Sequence, residues 1–180
     1  MTAVPRLYEK MYARVQEGIT SAPKIRQKIF YWALGVGKQA RATGKKGLSY
    51  TIADHLVYSK LRARFGGRLK FFISGGAPLS KEIAEFFGCM GVVILEAYGL
   101  TETSPAITGN RLSLNKFGTV GCPFDGVQVK IAADGEILTK GPHVMAGYYK
   151  NEAATKEVID QDGWLHTGDL GVRTPEGHYR

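Results

Sequence analysis

The sequence predicts an α/β fold whose character changes along the chain. Apolar residues recur every three or four positions up to about Phe65, which indicates amphipathic helices. Two short apolar runs then flank a helical stretch, and beyond Gly118 short alternating strands are separated by turns. We therefore expect residues 1–125 to form a partial α/β subdomain with a helical N-terminal segment, and residues 126–180 to form a partial β-rich subdomain.

The N-terminal segment is expected to form two or three helices. The helical period is clearest at Ile25, Ile29, Trp32 and Val36. Gly35 and Gly37 are predicted to interrupt this pattern, because glycine weakens a helix interior. Residues 43–50 are typical of a loop, and Thr51 can cap a following helix that extends through Leu61.

The middle of the chain predicts two buried strands joined by a helix. Residues 69–73 form a short apolar run that ends at Ser74, and residues 92–95 form a second such run. Ser80 can cap the helix between them, which is expected to reach Met90. The order strand, helix, strand predicts a parallel pair, and ligands of such sheets bind beyond the carboxyl ends of the strands.

The C-terminal part is expected to be a small β-domain. Residues 127–131 and 136–139 alternate between apolar and polar side chains, and the turn at 133–135 joins them. Asn151 can cap a short helix, and residues 164–166 begin a further strand.

Composition excludes several classes of protein. Of the 180 residues, 44% are hydrophobic and 22% are charged, as in a soluble globular protein. The two cysteines, Cys89 and Cys122, have no metal-ligand spacing, so neither a disulfide framework nor a zinc site is expected. No apolar run approaches the roughly 20 residues that span a bilayer, and no signal-peptide core is found at the N-terminus. The expected compartment is the cytoplasm.

Positive charge is concentrated at the start of the chain. Residues 1–70 contain 15 Lys and Arg against 3 Asp and Glu, a net +12, whereas the remainder carries −4. Such a segment concentrates polyanions, so nucleic acid, an anionic membrane surface or an anionic substrate could bind, unless the charge only solvates a helical surface. Aromatic residues 30–32 beside Lys24 allow a peripheral membrane contact, but we expect them to face a core, as such stripes usually do. We expect no nucleic-acid partner.

Candidate nucleotide contacts follow the two predicted strands. The run Gly75-Gly76-Ala77-Pro78 offers backbone without bulky side chains, so a flat ring could lie against it; the alternative is an ordinary tight turn. After Glu96-Ala97, an aromatic ring, hydroxyls and a carboxylate occur within the six residues 98–103. This mixture suits a metal-bound nucleotide, although a solvated polar turn has the same composition.

Individual side chains can be matched to parts of such a nucleotide. Tyr98 can stack on a base, Thr101 can donate to a phosphate oxygen, and Glu102 can hold Mg²⁺. Asp169, expected just past a strand, can accept hydrogen bonds from a ribose diol, or can simply stabilise a turn. His166 has no obvious partner in the sequence, so we expect it to be structural.

Five segments in order resemble signatures of the adenylate-forming superfamily. They are Ser74 to Ser80, Glu96 to Pro105, Gly135 to Leu138, Gly147 to Tyr149, and Gly163 to Leu170. The start Val4-Pro5-Arg6, with the long basic helical segment after it, resembles the bacterial long-chain fatty acyl-CoA synthetase branch. The resemblance covers nearly the whole chain. It implies part of a layered α/β/α N-terminal domain followed by a small β-barrel-like subdomain.

The resemblance also implies a reaction and its cofactors. A fatty carboxylate would attack the α-phosphate of Mg-ATP to give an acyl-adenylate, and coenzyme A would then displace AMP. The segment Gly76-Ala77-Pro78 would line the adenine with Tyr98 beside it, and Asp169 would bind the ribose. Thr101 and Glu102 would act on phosphate and Mg²⁺. The remaining nucleotide-binding positions would be Gly75, Glu96, Ala97 and Gly99.

Parts of the family pattern do not occur in these 180 residues. The phosphate loop of the form TSGTTGxPKG is absent, as is the lysine of the family's mobile C-terminal domain, and Arg180 is not expected to be its ribose-binding arginine. We therefore expect an internal fragment that is inactive alone, from a cytoplasmic enzyme, with a peripheral position at the inner face of the membrane left open. A homodimer is among the expected assemblies. The alternatives are a non-catalytic nucleotide-binding module and a basic helical module that binds a membrane surface or nucleic acid.

Overall fold

The computed structural model describes residues 1–180, which divide into two compact units, Met1–Ile94 and Leu95–Arg180. The first unit is mainly helical and the second is mainly β, so the expected mixed α/β class is confirmed. The packing boundary lies at 94/95, whereas the sequence suggested a change of character after residue 125. That later boundary stays a prediction about subdomains.

Helices make up most of the first unit. They are α1 (Pro5–Thr20), α2 (Lys24–Thr43), α3 (Leu48–Ala53), a π-helical turn (Asp54–Tyr58), α4 (Ser59–Ala63) and α5 (Lys81–Cys89). Pro5 is the first residue of α1, where a backbone N–H would have no partner within the helix, so a proline is tolerated there. None of the helices is both long and apolar enough to cross a lipid bilayer.

The predicted break at Gly35 and Gly37 is wrong, because α2 runs through both residues. A Cβ atom on Gly37 would overlap the carbonyl oxygen of Cys89 at the end of α5. Gly35 has open space around it. Gly37 is therefore required for the close approach of two helices rather than for a turn.

The predicted cap at Thr51 is also wrong, because α3 begins at Leu48 and Thr51 lies inside it. The loop shrinks to residues 44–47, and Gly44 ends α2 with a φ of 68°. Ser80 precedes α5 as expected, but its side chain makes no capping hydrogen bond.

A short parallel pair of strands completes the first unit. Strand β1 (Thr2–Ala3) pairs with β2 (Phe72–Ser74), and Thr2 lies opposite Ile73. The Phe72 N–H donates to the Val93 carbonyl at 2.9 Å. The strand that begins at Ile94 is also the neighbour of β2 in the order of the sheet, so the adjacency of the two predicted strands is confirmed, and their parallel direction stays a prediction. The largest fully buried side chains of the unit are Tyr8, Tyr58, Phe87, Met90 and Ile94.

Two antiparallel sheets build the second unit. The first contains β3 (Ile94–Tyr98), β4 (Thr108–Gly109) and β5 (Cys122–Pro123). The second contains β6 (Gln128–Ile131), β7 (Glu136–Lys140) and β8 (Leu165–Leu170), in that spatial order. The predicted hairpin is confirmed, because Ile131 lies opposite Ile137. This second sheet is open, with three strands, so no closed barrel forms within residues 126–180.

Helix α6 (Glu152–Val158) lies between β7 and β8 in sequence. Its predicted cap is confirmed, because the Asn151 side-chain oxygen accepts the Ala154 N–H at 3.1 Å. A side chain at this position satisfies a backbone donor that the helix itself leaves unpaired.

Candidate nucleotide site

The first predicted segment, Gly75-Gly76-Ala77-Pro78, leaves β2 as an exposed loop. Gly76 has a φ of +81° and no heavy atom near the position of a Cβ, so space is open beside it. Ser74, at the end of β2, is buried, and its hydroxyl oxygen has no hydrogen-bond partner. The loop thus offers an uncovered backbone surface, as a flat aromatic ligand requires.

The second predicted segment begins within a strand and continues past its end. Glu96, Ala97 and Tyr98 belong to β3, and Glu96 is buried with 7% exposure. The Gly118 N–H donates to Glu96 Oε1 at 3.4 Å. A Cβ atom on Gly99 would overlap the Pro105 carbonyl oxygen, so glycine is required for this close approach.

Tyr98 and Asp169 lie together although 71 residues separate them. The Tyr98 hydroxyl donates to Asp169 Oδ2 at 2.8 Å. Burial raises the pKa of Tyr98, and the hydrogen bond to Asp169 raises it further, so the phenol keeps its proton at neutral pH. One carboxylate oxygen of Asp169 remains for another donor.

The sequence predicted that Asp169 lies just past the end of a strand, but the residue belongs to β8. Its side chain is nevertheless exposed. Its backbone N–H donates to Thr167 Oγ1 at 3.1 Å, and the neighbouring Gly168 N–H donates to Glu136 Oε1 at 2.8 Å. These bonds fix the backbone that presents the carboxylate.

Thr101 and Glu102 occupy a short 3₁₀ turn, Thr101–Thr103. The Leu100 N–H donates to Thr103 Oγ1 at 2.9 Å, which closes the turn, and Thr101 is exposed. Glu102 is held at its backbone, where its carbonyl accepts the Met145 N–H at 2.8 Å. Its Oε1 accepts the Tyr148 hydroxyl at 2.9 Å, and this carboxylate raises the pKa of Tyr148.

His166 has two acidic neighbours that sequence reasoning missed. Its Nδ1 lies 2.8 Å from Glu136 Oε2, and its Nε2 lies 3.7 Å from Asp160 Oδ2. Backbone N–H groups, that of Trp164 first, lower the pKa of Asp160. Because Glu136 also anchors Gly168, this cluster braces the strand that carries Asp169. A structural role for His166 stays a prediction.

One acidic residue of the candidate site has the properties of a ligand for a magnesium nucleotide. No group of three or more His, Cys, Asp or Glu side chains could enclose an ion. Mg²⁺ usually takes one or two carboxylates and completes its shell with water and phosphate. Glu102 fits this pattern, since Tyr148 engages Oε1 and leaves Oε2 open.

The contact between Tyr148 and Glu102 was not anticipated. The segment Gly147 to Tyr149 was noted only as a family signature, and 46 residues separate the two side chains. The signal that could have indicated this contact was a tyrosine in a family signature to which no chemical role had been assigned. The same applies to Glu136, which was noted only within a signature.

Comparisons with known proteins agree with this geometry. The model of a family described as AMP-binding enzyme matches residues 1–149. A long chain acyl-CoA synthetase 6, peroxisomal, from Arabidopsis thaliana is 41% identical over 99% of this chain and 27% of its own length. A long-chain-fatty-acid--CoA ligase FadD15 from Mycobacterium bovis is 40% identical over 98% of this chain and 30% of its own length.

A solved structure shares the fold as well. It is a malonyl-CoA ligase ternary product complex with methylmalonyl-CoA and AMP bound. Its TM-score to this chain is 0.57 and its identity is 30%, over 71% of this chain and 31% of the other. The similarity therefore extends from sequence to backbone.

Fold and sequence together define the class: the chain belongs to the AMP-binding enzyme family. The resemblance to long-chain fatty acyl-CoA synthetases is confirmed, because the matched relatives carry that name. The chain spans about a third or less of the length of these relatives, at 27% and 30%.

Proposed function

We propose that the chain is a section of a fatty acid-CoA ligase that works through an acyl-adenylate. A carboxylate oxygen of the fatty acid attacks the α-phosphorus of ATP, and pyrophosphate leaves. The coenzyme A thiol then attacks the acyl carbonyl, and AMP leaves. The observation that supports this most is the pairing of Tyr98 with Asp169, which joins two family signatures within one compact unit.

Each candidate residue has a proposed part in nucleotide binding. The exposed backbone of 75–78 lines the adenine ring, and the Tyr98 ring flanks the same base. Asp169 accepts the ribose hydroxyls with the oxygen that Tyr98 leaves open. Glu96, Ala97 and Gly99 supply the strand end that holds Tyr98 in place.

Thr101 and Glu102 are proposed to act where charge develops. The exposed Thr101 hydroxyl can donate to a phosphate oxygen. Glu102 would hold Mg²⁺, which supplies positive charge that offsets the negative charge of the phosphates.

Fatty-acid-dependent exchange of labelled pyrophosphate into ATP tests the proposed function in the full-length ligase. We expect exchange with palmitate, and only weak exchange with acetate. Exchange that ignores the carboxylic acid, or AMP binding without any exchange, would favour the alternative of a non-catalytic nucleotide-binding module.

A peripheral membrane contact is a second candidate function, which the first unit supports in part. Tyr31 and Trp32 are 52% and 43% exposed, beside exposed Lys24 and Lys28. Phe30 is 5% exposed and packs on Phe86, so it does not belong to this patch.

Vesicle co-sedimentation tests the membrane contact. We expect binding to vesicles that contain phosphatidylserine, little binding to phosphatidylcholine alone, and a steep loss with salt. Equal binding of a Tyr31→Ser/Trp32→Ser variant would contradict it. The cytoplasmic face is the side that we propose, although one matched relative is named peroxisomal.

A further inference from the structure

The Glu102 side chain is held by a residue outside its own signature. Its Oε1 accepts a hydrogen bond from the Tyr148 hydroxyl at 2.9 Å, and its backbone carbonyl accepts the Met145 N–H at 2.8 Å. Residues 145 and 148 belong to one segment, so a single stretch of chain fixes both ends of Glu102. The carboxylate would otherwise rotate freely, because glutamate has several soft side-chain torsions.

Tyr148 is itself fixed by the start of α6. Its N–H donates to Thr155 Oγ1 at 2.9 Å, and the Thr155 hydroxyl donates to the Asn151 carbonyl at 2.8 Å. The Asn151 N–H returns a bond to the Tyr148 carbonyl at 3.1 Å. Asn151 also caps α6, so the helix start and the tyrosine form one hydrogen-bonded unit.

Gly147 allows this arrangement. Its φ is +146°, a conformation that other residues rarely adopt, and a Cβ atom there would lie 2.9 Å from the Thr155 side chain. Glycine at position 147 therefore allows the backbone of Tyr148 to lie directly against α6.

The hydrogen bond engages only one of the two carboxylate oxygens. A phenol donates one proton, and here that proton goes to Oε1. Oε2 remains open and its direction is set by the bond on the other oxygen. Mg²⁺ demands near-ideal geometry from its ligands, so a fixed carboxylate binds it at lower ion concentration than a mobile one.

We propose that Tyr148 is a positioning residue that orients Glu102 toward the metal-nucleotide. The inference rests on the proposed function, because it assumes that Glu102 holds Mg²⁺. It adds the segment Gly147 to Thr155 to the machinery of the site as a support that touches neither nucleotide nor metal.

Calorimetric titration of Mg²⁺ into full-length ligase with bound ATP tests the proposal without relying on turnover. In Tyr148→Phe, which removes one hydroxyl, we expect the half-saturating Mg²⁺ concentration to rise about three- to tenfold, the range for one hydrogen bond of typical strength. Binding of AMP without Mg²⁺ should stay unchanged. A merely structural role would weaken both.

Tyr149→Phe is the matched control. It removes the same hydroxyl from the adjacent residue, which is 88% exposed and whose ring centre lies 5.3 Å from the Lys150 ammonium. Neither Mg²⁺ nor AMP affinity should change in this variant. A shift as large as that of Tyr148→Phe would overturn the proposal.

Glu102→Gln separates the two ways in which the account can fail. If Glu102→Gln raises the Mg²⁺ requirement and Tyr148→Phe does not, the positioning role is wrong and the proposed function stands. If neither variant changes it, Glu102 does not hold the metal. A lower requirement in Tyr148→Phe would mean that the tyrosine blocks Glu102, which also overturns the proposal. The double variant should be no worse than Glu102→Gln alone.

Discussion

Two buried tyrosines of the first compact unit donate their hydroxyls to backbone carbonyls, whereas two tyrosines of the second unit donate to carboxylates. Tyr8 donates to the Ile73 carbonyl at 2.8 Å, and Tyr58 donates to the Ala33 carbonyl. Tyr98 and Tyr148 donate instead to Asp169 and Glu102.

The kind of acceptor distinguishes tyrosines that stabilise the fold from tyrosines that orient side chains of the candidate site. A fully buried tyrosine bonded to the main chain stabilises one packing arrangement, and burial raises the pKa of Tyr8 to about 12. A tyrosine bonded to an exposed carboxylate leaves that carboxylate in contact with solvent and fixes its direction. A tyrosine thus supports the core where its hydroxyl meets the main chain, as Tyr179 also does in the second unit, and supports the candidate nucleotide site where its hydroxyl meets a carboxylate.

The largest effect is expected for Glu102→Gln in the full-length ligase. Loss of the charge that we assign to Mg²⁺ should reduce pyrophosphate release by about 100-fold or more, on the scale of lost electrostatic stabilisation. Circular dichroism should be unchanged, because the Tyr148 hydroxyl still finds an acceptor. Wild-type rates across a magnesium titration would remove Glu102 from the metal site.

Gly37→Ala should be the most damaging small change in the first unit. The added methyl group meets the Cys89 carbonyl, so overpacking should lower the free energy of unfolding by about 1–3 kcal/mol. Gly35→Ala is the matched control and should raise it by up to about 1 kcal/mol, because space is open there. Urea unfolding measures both, and equal effects would contradict the close approach of α2 and α5.

Tyr58→Phe and Tyr98→Phe should divide stability from binding. Tyr58→Phe leaves the Ala33 carbonyl without its side-chain donor and should lower the free energy of unfolding by about 1–2 kcal/mol. Tyr98→Phe should change it less and should weaken ATP binding instead. Thermal melts and calorimetry on both variants test this division, which fails if the two effects are reversed.

The smallest effects concern the two helix caps. Asn151→Ala removes an observed capping bond and should lower the free energy of unfolding by about 1 kcal/mol. Ser80→Ala should change it by less than about 0.5 kcal/mol, because the Ser80 hydroxyl caps nothing. A larger loss from Ser80→Ala would show that its cap forms in solution.

Local signals predicted some elements and missed others for physical reasons. The hairpin at Ile131 and Ile137 and the cap at Asn151 follow from neighbouring residues, so the sequence was sufficient. Gly37 was predicted to break the helix, but glycine is required there because α2 approaches Cys89 closely. Cys89 lies 52 positions further along the chain, so no local sequence window contains both residues.

The candidate site shows the same limit. Glu102 and Asp169 could be selected from residue type and family signatures, whereas the hydrogen bonds that pair them with tyrosines could not be inferred. Those partners are 46 and 71 residues away. The end of the strand that carries Asp169 was also predicted too early, since β8 continues to Leu170.

The central claim is that Asp169 contacts the ribose of the nucleotide. A thermodynamic cycle over wild type and Asp169→Ala, each with ATP and 2′,3′-dideoxy-ATP, tests it in the full-length ligase by calorimetry. We expect Asp169→Ala to weaken ATP binding at least roughly tenfold and to make little further difference for the dideoxy analogue, because hydrogen bonds to a charged group contribute about 1.5–3 kcal/mol each. Additive effects of the mutation and the missing hydroxyls would contradict the claim and would leave Asp169 as a partner of Tyr98 alone.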